Sequence, residues 1–312
     1  MIHKAKRGKK IAGIILTLSV CAMSASGFLI WRDMRTSLEA DNVYTRLADR
    51  IRTAEDASGE NGGFGSAVNG LTEQLINAVY PDAEPAGMQG MDSDAINVVY
   101  EPDATDGGET AENGQAVYPD IEIPYMTFDF DSLRDINPDA AAWLYCPDTL
   151  IDYPVMRAAD YNYYLHHLPD GSYNENGTIF IDYNWKGFSD GLTVLYGHNM
   201  KSGQMFGSLA NYKKQPYFDE HPYLYLYTPN DGNFRIELLY GCVVSAGQWR
   251  ERAFMFEENL DAFLTYAAHN TTFNSGASYT RGDRVIALST CSYEFDDARY
   301  VVVGALRPEY GE

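Results

Sequence analysis

The chain has 312 residues, of which 45% are hydrophobic, so it is long enough for one sizeable folded domain with additional segments. Its formal net charge of −21, from 44 acidic and 23 basic residues, argues against the basic surface that a nucleic-acid partner requires. The acidic excess is local, because 17 of the acidic residues lie between positions 53 and 133, where no Lys or Arg occurs. The rest of the chain has the composition of a mildly acidic globular domain.

The N-terminus predicts a membrane anchor. Residues 1–10 form a basic tail, and residues 11–31 form an uncharged, largely apolar run. A helix of this length spans a hydrocarbon core of about 30 Å. The basic tail predicts a cytoplasmic N-terminus, a single span and an extracellular remainder. A cleaved signal peptide is the alternative, because small residues occur at 22–26, but the apolar residues 28–30 that follow favour an uncleaved anchor.

Two segments separate the predicted anchor from the folded domain. Val43, Leu47 and Ile51 recur at four-residue spacing, which predicts a helix within a juxtamembrane segment, 32–56, that packs on the domain. The next segment, 57–120, is rich in Gly, Asp, Glu, Ala and Asn and predicts a disordered acidic linker. Its recurring Val-Tyr motifs leave the docking of a partner as an alternative.

Residues 121–312 predict a mainly β domain with peripheral helices. A helical lead-in is predicted at 131–144 and a second helix at 256–269. Short apolar runs separated by turns predict strands, and their spacing favours a barrel or a sandwich. The predicted strands are 151–156, 178–182, 192–196, 223–228, 234–244, 284–290 and 300–306.

Cysteine usage points to a single chemical site. Cys21 lies in the predicted anchor, whereas Cys146 and Cys242 lie in apolar, strand-like contexts that predict core residues. Cys291 ends a predicted strand, and Arg299 begins the next one. If these strands pair antiparallel, the two side chains lie close together at one rim of a sheet. A cysteine beside a fixed positive charge is a site for a stabilised thiolate.

His198 is the candidate partner of this thiolate. It lies in a glycine-containing turn at the end of an apolar strand, and a nucleophilic cysteine needs a base or an imidazolium. Cys291, His198 and Arg299 each have an ordinary structural explanation when taken alone. Their common position at strand ends predicts a Cys-His site supported by an arginine.

These residues resemble the sortases, which are cysteine transpeptidases of Gram-positive bacteria. The family pattern is Thr-Leu-x-Thr-Cys, then an arginine that opens the last strand, with an upstream Gly-His turn. This chain has Ala-Leu-Ser-Thr-Cys at 287–291, Arg299 and Gly197-His198, and it departs from the pattern only at the first position. The wider resemblance is to class B and covers about 129–308. It includes INPD at 136–139, NGTIFID at 176–182 and YGHNM at 196–200.

The resemblance implies a sortase-like eight-stranded β-barrel with N-terminal helices. It also implies that Cys291 attacks the Thr–Gly bond of a cell-wall sorting signal, forms a thioester and passes the protein to an amine of peptidoglycan or of a pilin. His198 would act as acid and base, and Arg299 would bind substrate carbonyls and the oxyanion. The implied partners are surface proteins with a C-terminal sorting signal, the peptidoglycan amine acceptor and the membrane.

Three further residues are candidates for substrate binding or orientation. Ser289 and Thr290 precede Cys291, with packing as their competing role, and Asn199 follows His198. The other histidines lack metal-ligand spacing and no glycine-rich phosphate loop occurs, so we predict no metal and no organic cofactor. Another Cys-His peptidase and a membrane-tethered extracellular adhesion or binding module stay open as alternative functions.

Overall fold

A closed eight-stranded β-barrel forms the centre of the computed structural model, which describes residues 31–53, 123–124 and 126–309. Two short strands outside the barrel are β1 (Arg52–Thr53) and β2 (Thr127–Phe128). The barrel strands are β3 (Ala140–Tyr145), β4 (Asp152–Arg157), β5 (Ile179–Ile181), β6 (Leu192–Tyr196), β7 (Tyr223–Tyr227), β8 (Asn233–Ser245), β9 (Val285–Cys291) and β10 (Ala298–Pro308). The barrel and its predicted strands are therefore confirmed.

The barrel closes in the order β10-β8-β7-β3-β4-β5-β6-β9. Its pairings are antiparallel except for β4 with β5 and β6 with β9, which are parallel. Two parallel strands cannot be joined by a tight turn, so β6 and β9 are joined by a long connection. That connection contains β7, β8 and the helices that cover one outer face.

The described helices surround the barrel. They are α1 (31–51), α2 (Phe130–Ile136), α3 (Gln215–Glu220), α4 (Ala246–Glu251) and α5 (Leu260–His269), with 3-10 turns at Tyr163–Leu165, Gly207–Lys213 and Glu257–Asn259. The predicted helix at 256–269 is confirmed over its C-terminal part. Its buried residues follow the 3.6-residue period of an amphipathic helix.

The side chains of β9 alternate between the inside and the outside of the barrel. Ile286 and Leu288 belong to the interior apolar cluster, whereas Val285 and Ala287 belong to an outer cluster covered by α4 and α5. Successive side chains of a strand point to opposite faces. Cys291 therefore falls on the outer face of the barrel, in the same alternation as Val285 and Ala287.

The predicted helix at 131–144 is wrong in its second half. The helix ends at Ile136, and Ala140–Tyr145 forms strand β3 between β4 and β7. Pro138 forces the preceding residue, Asn137, into the extended conformation, with φ −149° and ψ 113°. Beyond that break, burial and pairing on both sides of β3 override the helical preference of its alanines.

Helix α1 is part of the same folded unit as the barrel. Ala40, Tyr44, Leu47 and Ile51 are buried along one of its faces. The Tyr44 hydroxyl donates a hydrogen bond of 2.6 Å to the carbonyl oxygen of Gly177. The predicted packing of this helix on the domain is therefore confirmed, although the helix ends at 51 and is followed by β1.

The residues that flank the acidic segment pair with each other. Strands β1 and β2 pair antiparallel, and the amide of Asp129 donates to the carbonyl of Ile51 at 2.8 Å. The predicted linker at 57–120 lies outside the described residues, as do the tail at 1–10 and nearly all of the predicted anchor at 11–31. Within the part of the chain that the structure describes, no helix is long and apolar enough to cross a membrane.

The meeting of β1 with β2 makes the acidic segment removable. We expect deletion of residues 59–115 to leave the melting temperature of the protein nearly unchanged. Residues 52–53 and 127–128, which lie on either side of it, are already paired, and its composition lacks the apolar content to form a core. Thermal unfolding of the full chain and of the deletion variant checks this, and a large fall in melting temperature would assign the segment to the core.

Candidate active site

Strand register aligns the three predicted residues at one end of the barrel. Cys291 is the last residue of β9, and it lies directly opposite Arg299 in the antiparallel β9–β10 pair. In the parallel β6–β9 pair Tyr196 lies opposite Ser289, so continuing that register places His198 beside Cys291. Neighbouring strands are about 4.8 Å apart, so three successive strand ends carry His198, Cys291 and Arg299 in a row.

Hydrogen bonds beyond the end of β6 hold this alignment. The amide of Gly197 donates to the carbonyl of Ser289 at 3.3 Å, and the Thr290 hydroxyl donates to the carbonyl of Gly197 at 2.8 Å. The side-chain amide of Asn199 donates to the carbonyl of Cys291 at 2.8 Å. The turn that carries His198 is therefore fixed to the strand that carries Cys291 both before and after the histidine.

Cys291 differs from the other two described cysteines in its accessibility. Cys291 is exposed, whereas Cys146 and Cys242 are fully buried, as predicted. Burial raises the pKa of the Cys146 thiol to about 11 and that of the Cys242 thiol to about 12. A thiolate is the reactive form of cysteine, so of these three residues only Cys291 combines access with a neighbouring cation.

The ring of His198 is oriented by a backbone carbonyl. Its Nε2 atom lies 2.8 Å from the carbonyl oxygen of Leu165, which can only accept, so Nε2 carries a proton. Nδ1 is then the ring nitrogen that gains and loses a proton. Leu165 belongs to the 3-10 turn at Tyr163–Leu165. No sequence signal identifies this contact, because any residue supplies a carbonyl.

Arg299 retains donors for a ligand. Its Nη1 atom donates to the carbonyl oxygens of Asp297 and Ala298, at 3.3 and 3.0 Å. No carboxylate lies within ion-pair distance of it among the residues that the structure describes. Since a guanidinium has five N–H donors, those on Nε and Nη2 are available to a group placed beside Cys291.

The secondary candidates have structural roles in the described geometry. Thr290 is buried, and its hydroxyl is committed to the Gly197 carbonyl. Ser289 is buried on the same face as Cys291, consistent with packing. The side-chain amide of Asn199 binds the main chain of Cys291 and so holds the turn that carries His198.

An aromatic wall that sequence reasoning missed flanks His198. Tyr196 precedes the histidine by two residues on the outer face of β6, and its ring lies 5.8 Å from that of Tyr161. Both hydroxyls donate to Oδ2 of buried Asp182, at 3.0 and 2.9 Å. Tyr183 packs edge-on against Tyr161. The buried carboxylate therefore fixes Tyr161 and Tyr196, and Tyr196 connects this aromatic cluster to the strand that leads to His198.

The described residues contain no cluster of His, Cys, Asp or Glu that is arranged to hold a metal ion. The side chains gathered at the barrel end are instead a thiol, an imidazole and a guanidinium. Together they can form a nucleophile, shuttle a proton and bind an oxyanion.

Comparisons with known proteins agree with this geometry. No family model matches the chain. Sortase B of Listeria monocytogenes is 33% identical over 183 residues, which are 56% of this chain and 74% of that protein. A Staphylococcus aureus sortase B–substrate complex aligns with a TM-score of 0.53 and 26% identity, over 58% of this chain and 85% of that one.

A third relative is a Streptococcus pyogenes class B sortase involved in pilus biogenesis, with a TM-score of 0.51, 28% identity and coverage of 57% of this chain and 97% of that one. These similarities exclude the adhesion-module alternative, because the relatives are enzymes. The chain belongs to the sortase B family and is therefore a class B sortase, a cysteine transpeptidase.

Proposed function

We propose that this sortase joins surface proteins to an amine acceptor through a thioester on Cys291. The observation that supports this most directly is the row formed by exposed Cys291, opposite Arg299 and beside the His198 turn. The cation and an imidazolium both favour a thiolate at Cys291.

In the first half-reaction, the thiolate of Cys291 attacks the carbonyl carbon of the threonine in a sorting signal. The donors of Arg299 bind the oxyanion that develops on the carbonyl oxygen. Protonated His198 then gives its Nδ1 proton to the departing amine, the C–N bond breaks and a thioester stays on the enzyme. The hydrogen bond from Nε2 to the Leu165 carbonyl persists in both protonation states of the ring.

In the second half-reaction, an acceptor amine attacks the thioester carbonyl. Neutral His198 takes a proton from the attacking nitrogen, the C–S bond breaks and the thiolate of Cys291 is restored. The product is a new amide, so no net oxidation or reduction occurs and no cofactor is required.

The proposed donor is a surface protein with a C-terminal sorting signal, and the proposed scissile bond is Thr–Gly. The aromatic wall of Tyr161, Tyr183 and Tyr196 supports binding of an extended peptide beside Cys291. A substrate complex is known for the S. aureus relative. A peptide series that varies only the residue after threonine tests the Thr–Gly assignment.

The proposed acceptor is an amine of peptidoglycan, with a pilin lysine as the second candidate because the S. pyogenes relative is involved in pilus biogenesis. The proposed location is the cell membrane, with residues 1–10 in the cytoplasm and the barrel outside. This rests on the basic tail and on the uncharged run at 11–31.

We expect Cys291→Ala to abolish peptide cleavage and leave the melting temperature unchanged, because the side chain is exposed and makes no core contact. Cleavage of a fluorogenic sorting-signal peptide, with and without a small amine, measures this. Full cleavage by the alanine variant would end the thioester proposal. If the parent enzyme hydrolyses the peptide but forms no amide product with any added amine, it is instead a Cys-His peptidase.

Arg299→Lys should lower kcat/KM by about 10²-fold, the size of effect seen when one oxyanion donor is removed. Lysine keeps the charge but loses the planar fork that reaches two acceptors at once. Steady-state kinetics checks the ratio, and Arg281→Lys, a change at an exposed arginine, is the matched control. A lysine variant with normal kcat/KM would remove Arg299 from the mechanism.

The rate should have a bell-shaped dependence on pH and be indifferent to chelators. Acid protonates the Cys291 thiolate and base deprotonates the His198 imidazolium, so each limb removes one partner of the active pair. Assays across pH with and without EDTA measure this. A rate that rises continuously to high pH would reduce His198 to a simple base. Loss in EDTA that is reversed by one metal would refute the cofactor-free reaction.

A further inference from the structure

A 3-10 turn links the two halves of the candidate site. The segment Gly207–Lys213 begins just after Phe206, whose amide donates to the carbonyl of His198 at 3.0 Å. It ends at Lys213, whose ammonium donates to the Ser292 hydroxyl at 2.9 Å and forms an ion pair with Glu294. One rigid turn therefore contacts the histidine segment and the loop that follows Cys291.

The contacts of Lys213 fall on the residues that immediately follow the cysteine. Ser292 is the next residue after Cys291, and its hydroxyl also donates to Glu294. The Lys213 ammonium in addition lies 4.9 Å from the ring centroid of Tyr300, the neighbour of Arg299. The ammonium of Lys213 therefore fixes the start of the loop at 292–297 and packs against β10, the strand that follows this loop.

The charge balance at this loop depends on the lysine. Burial acts to raise the pKa of Glu294, but hydrogen bonds from Lys213 and Ser292 hold it below its usual value, so the carboxylate stays ionised. The loop otherwise carries exposed Asp296 and Asp297. An ionised carboxylate without its partner, in the loop that follows Cys291, would disfavour the thiolate.

We propose that Lys213 is a positioning residue for Cys291, which fixes the loop after the cysteine and neutralises Glu294, three residues beyond it. The inference rests on the proposed function only in taking Cys291 as the nucleophile. The sequence offers no signal for it, because Lys213 precedes Cys291 by many residues and no local pattern places the two together.

Several charged groups lie on the elements around Cys291, and the test has to separate them. They are His198 after β6, Arg299 on β10, Lys213 on the 3-10 turn, and Glu294, Asp296 and Asp297 on the loop. His198 and Arg299 are left unchanged in every variant. The variants are Lys213→Met, Lys213→Arg, Glu294→Gln and the double change Lys213→Met with Glu294→Gln. Lys214→Met removes the same charge from an exposed neighbouring side chain and serves as the matched control.

The primary measurement is the pH dependence of iodoacetamide alkylation at Cys291, read by peptide mapping of the full-length protein in detergent. It needs no peptide substrate, so it stays informative if the proposed transpeptidation fails. Lys213→Met should move the midpoint to higher pH by on the order of half a unit, because it removes a positive charge and leaves Glu294 ionised without its partner. Lys213→Arg and Lys214→Met should keep the parent midpoint.

The double variant distinguishes charge from packing. In the double variant the Glu294 carboxylate is removed as well, so the alkylation midpoint should return toward that of the parent. This is expected even though both members of the ion pair are then lost. In peptide cleavage, Lys213→Met should lower kcat several-fold with little change in KM, and the double variant should recover part of the loss.

The proposal is overturned if Lys213→Met has the same alkylation midpoint as the parent. It is also overturned if the midpoint of the double variant is as high as that of Lys213→Met. Should Lys213→Met fail to fold, Glu294→Gln decides. It keeps the Lys213–Ser292 bond and removes a negative charge, so its midpoint should lie at or below that of the parent. A higher midpoint would refute the assigned role.

Discussion

The register of β9 between its two neighbours is the constraint on which the site depends. Strand β9 pairs in parallel with β6 and antiparallel with β10, and it ends at Cys291. Because side chains alternate between faces, a slip of one residue on either side would move the cysteine to the barrel interior or separate it from Arg299. Closure of the barrel fixes this register, since no strand edge is left free to shift.

The geometry of the site is maintained largely by main-chain contacts. The carbonyl of Leu165 orients the ring of His198, and the side chain of Asn199 holds the carbonyl of Cys291. Both bonds act on groups that every residue possesses. The reactive side chains are thereby left with their functional atoms unoccupied, Nδ1 on the histidine and the thiol on the cysteine, which is the arrangement that nucleophilic catalysis needs.

The electrostatics of the site differ from those of the chain as a whole. The formal net charge is −21, yet the side chains nearest to Cys291 include Arg299 and the imidazole of His198. Much of the acidic excess falls in the segment 53–133, and the strands β1 and β2 that lie near its two ends pair with each other. The reactive thiol therefore lies in a local environment that the overall composition does not describe.

Folding of α1 onto the barrel places the N-terminal region in contact with the support of the site. Tyr44 donates to the carbonyl of Gly177, in the segment that runs beside the turn at Tyr163–Leu165. Gly177 has φ +59°, and an added Cβ there would lie 2.6 Å from the Leu165 carbonyl oxygen. The main chain approaches closely at this point, so the turn that orients His198 is packed from both sides.

The sequence by itself determined most strands, the helix before β9, the buried state of Cys146 and Cys242, and the candidate residues Cys291, His198 and Arg299. These follow from local signals, because apolar periodicity and strand-end positions can be recognised within short stretches of chain. The sequence failed at β3, where pairing on both sides outweighed the helical preference of the alanines. Tertiary structure alone decided the parallel pairing of β6 with β9, the carbonyl partner of His198, the carbonyl partner of Asn199 and the contact of Lys213 with Ser292. Each of these joins segments that are distant in the chain, through backbone groups or surface charges that carry no distinguishing pattern, so only the closed barrel brings them together.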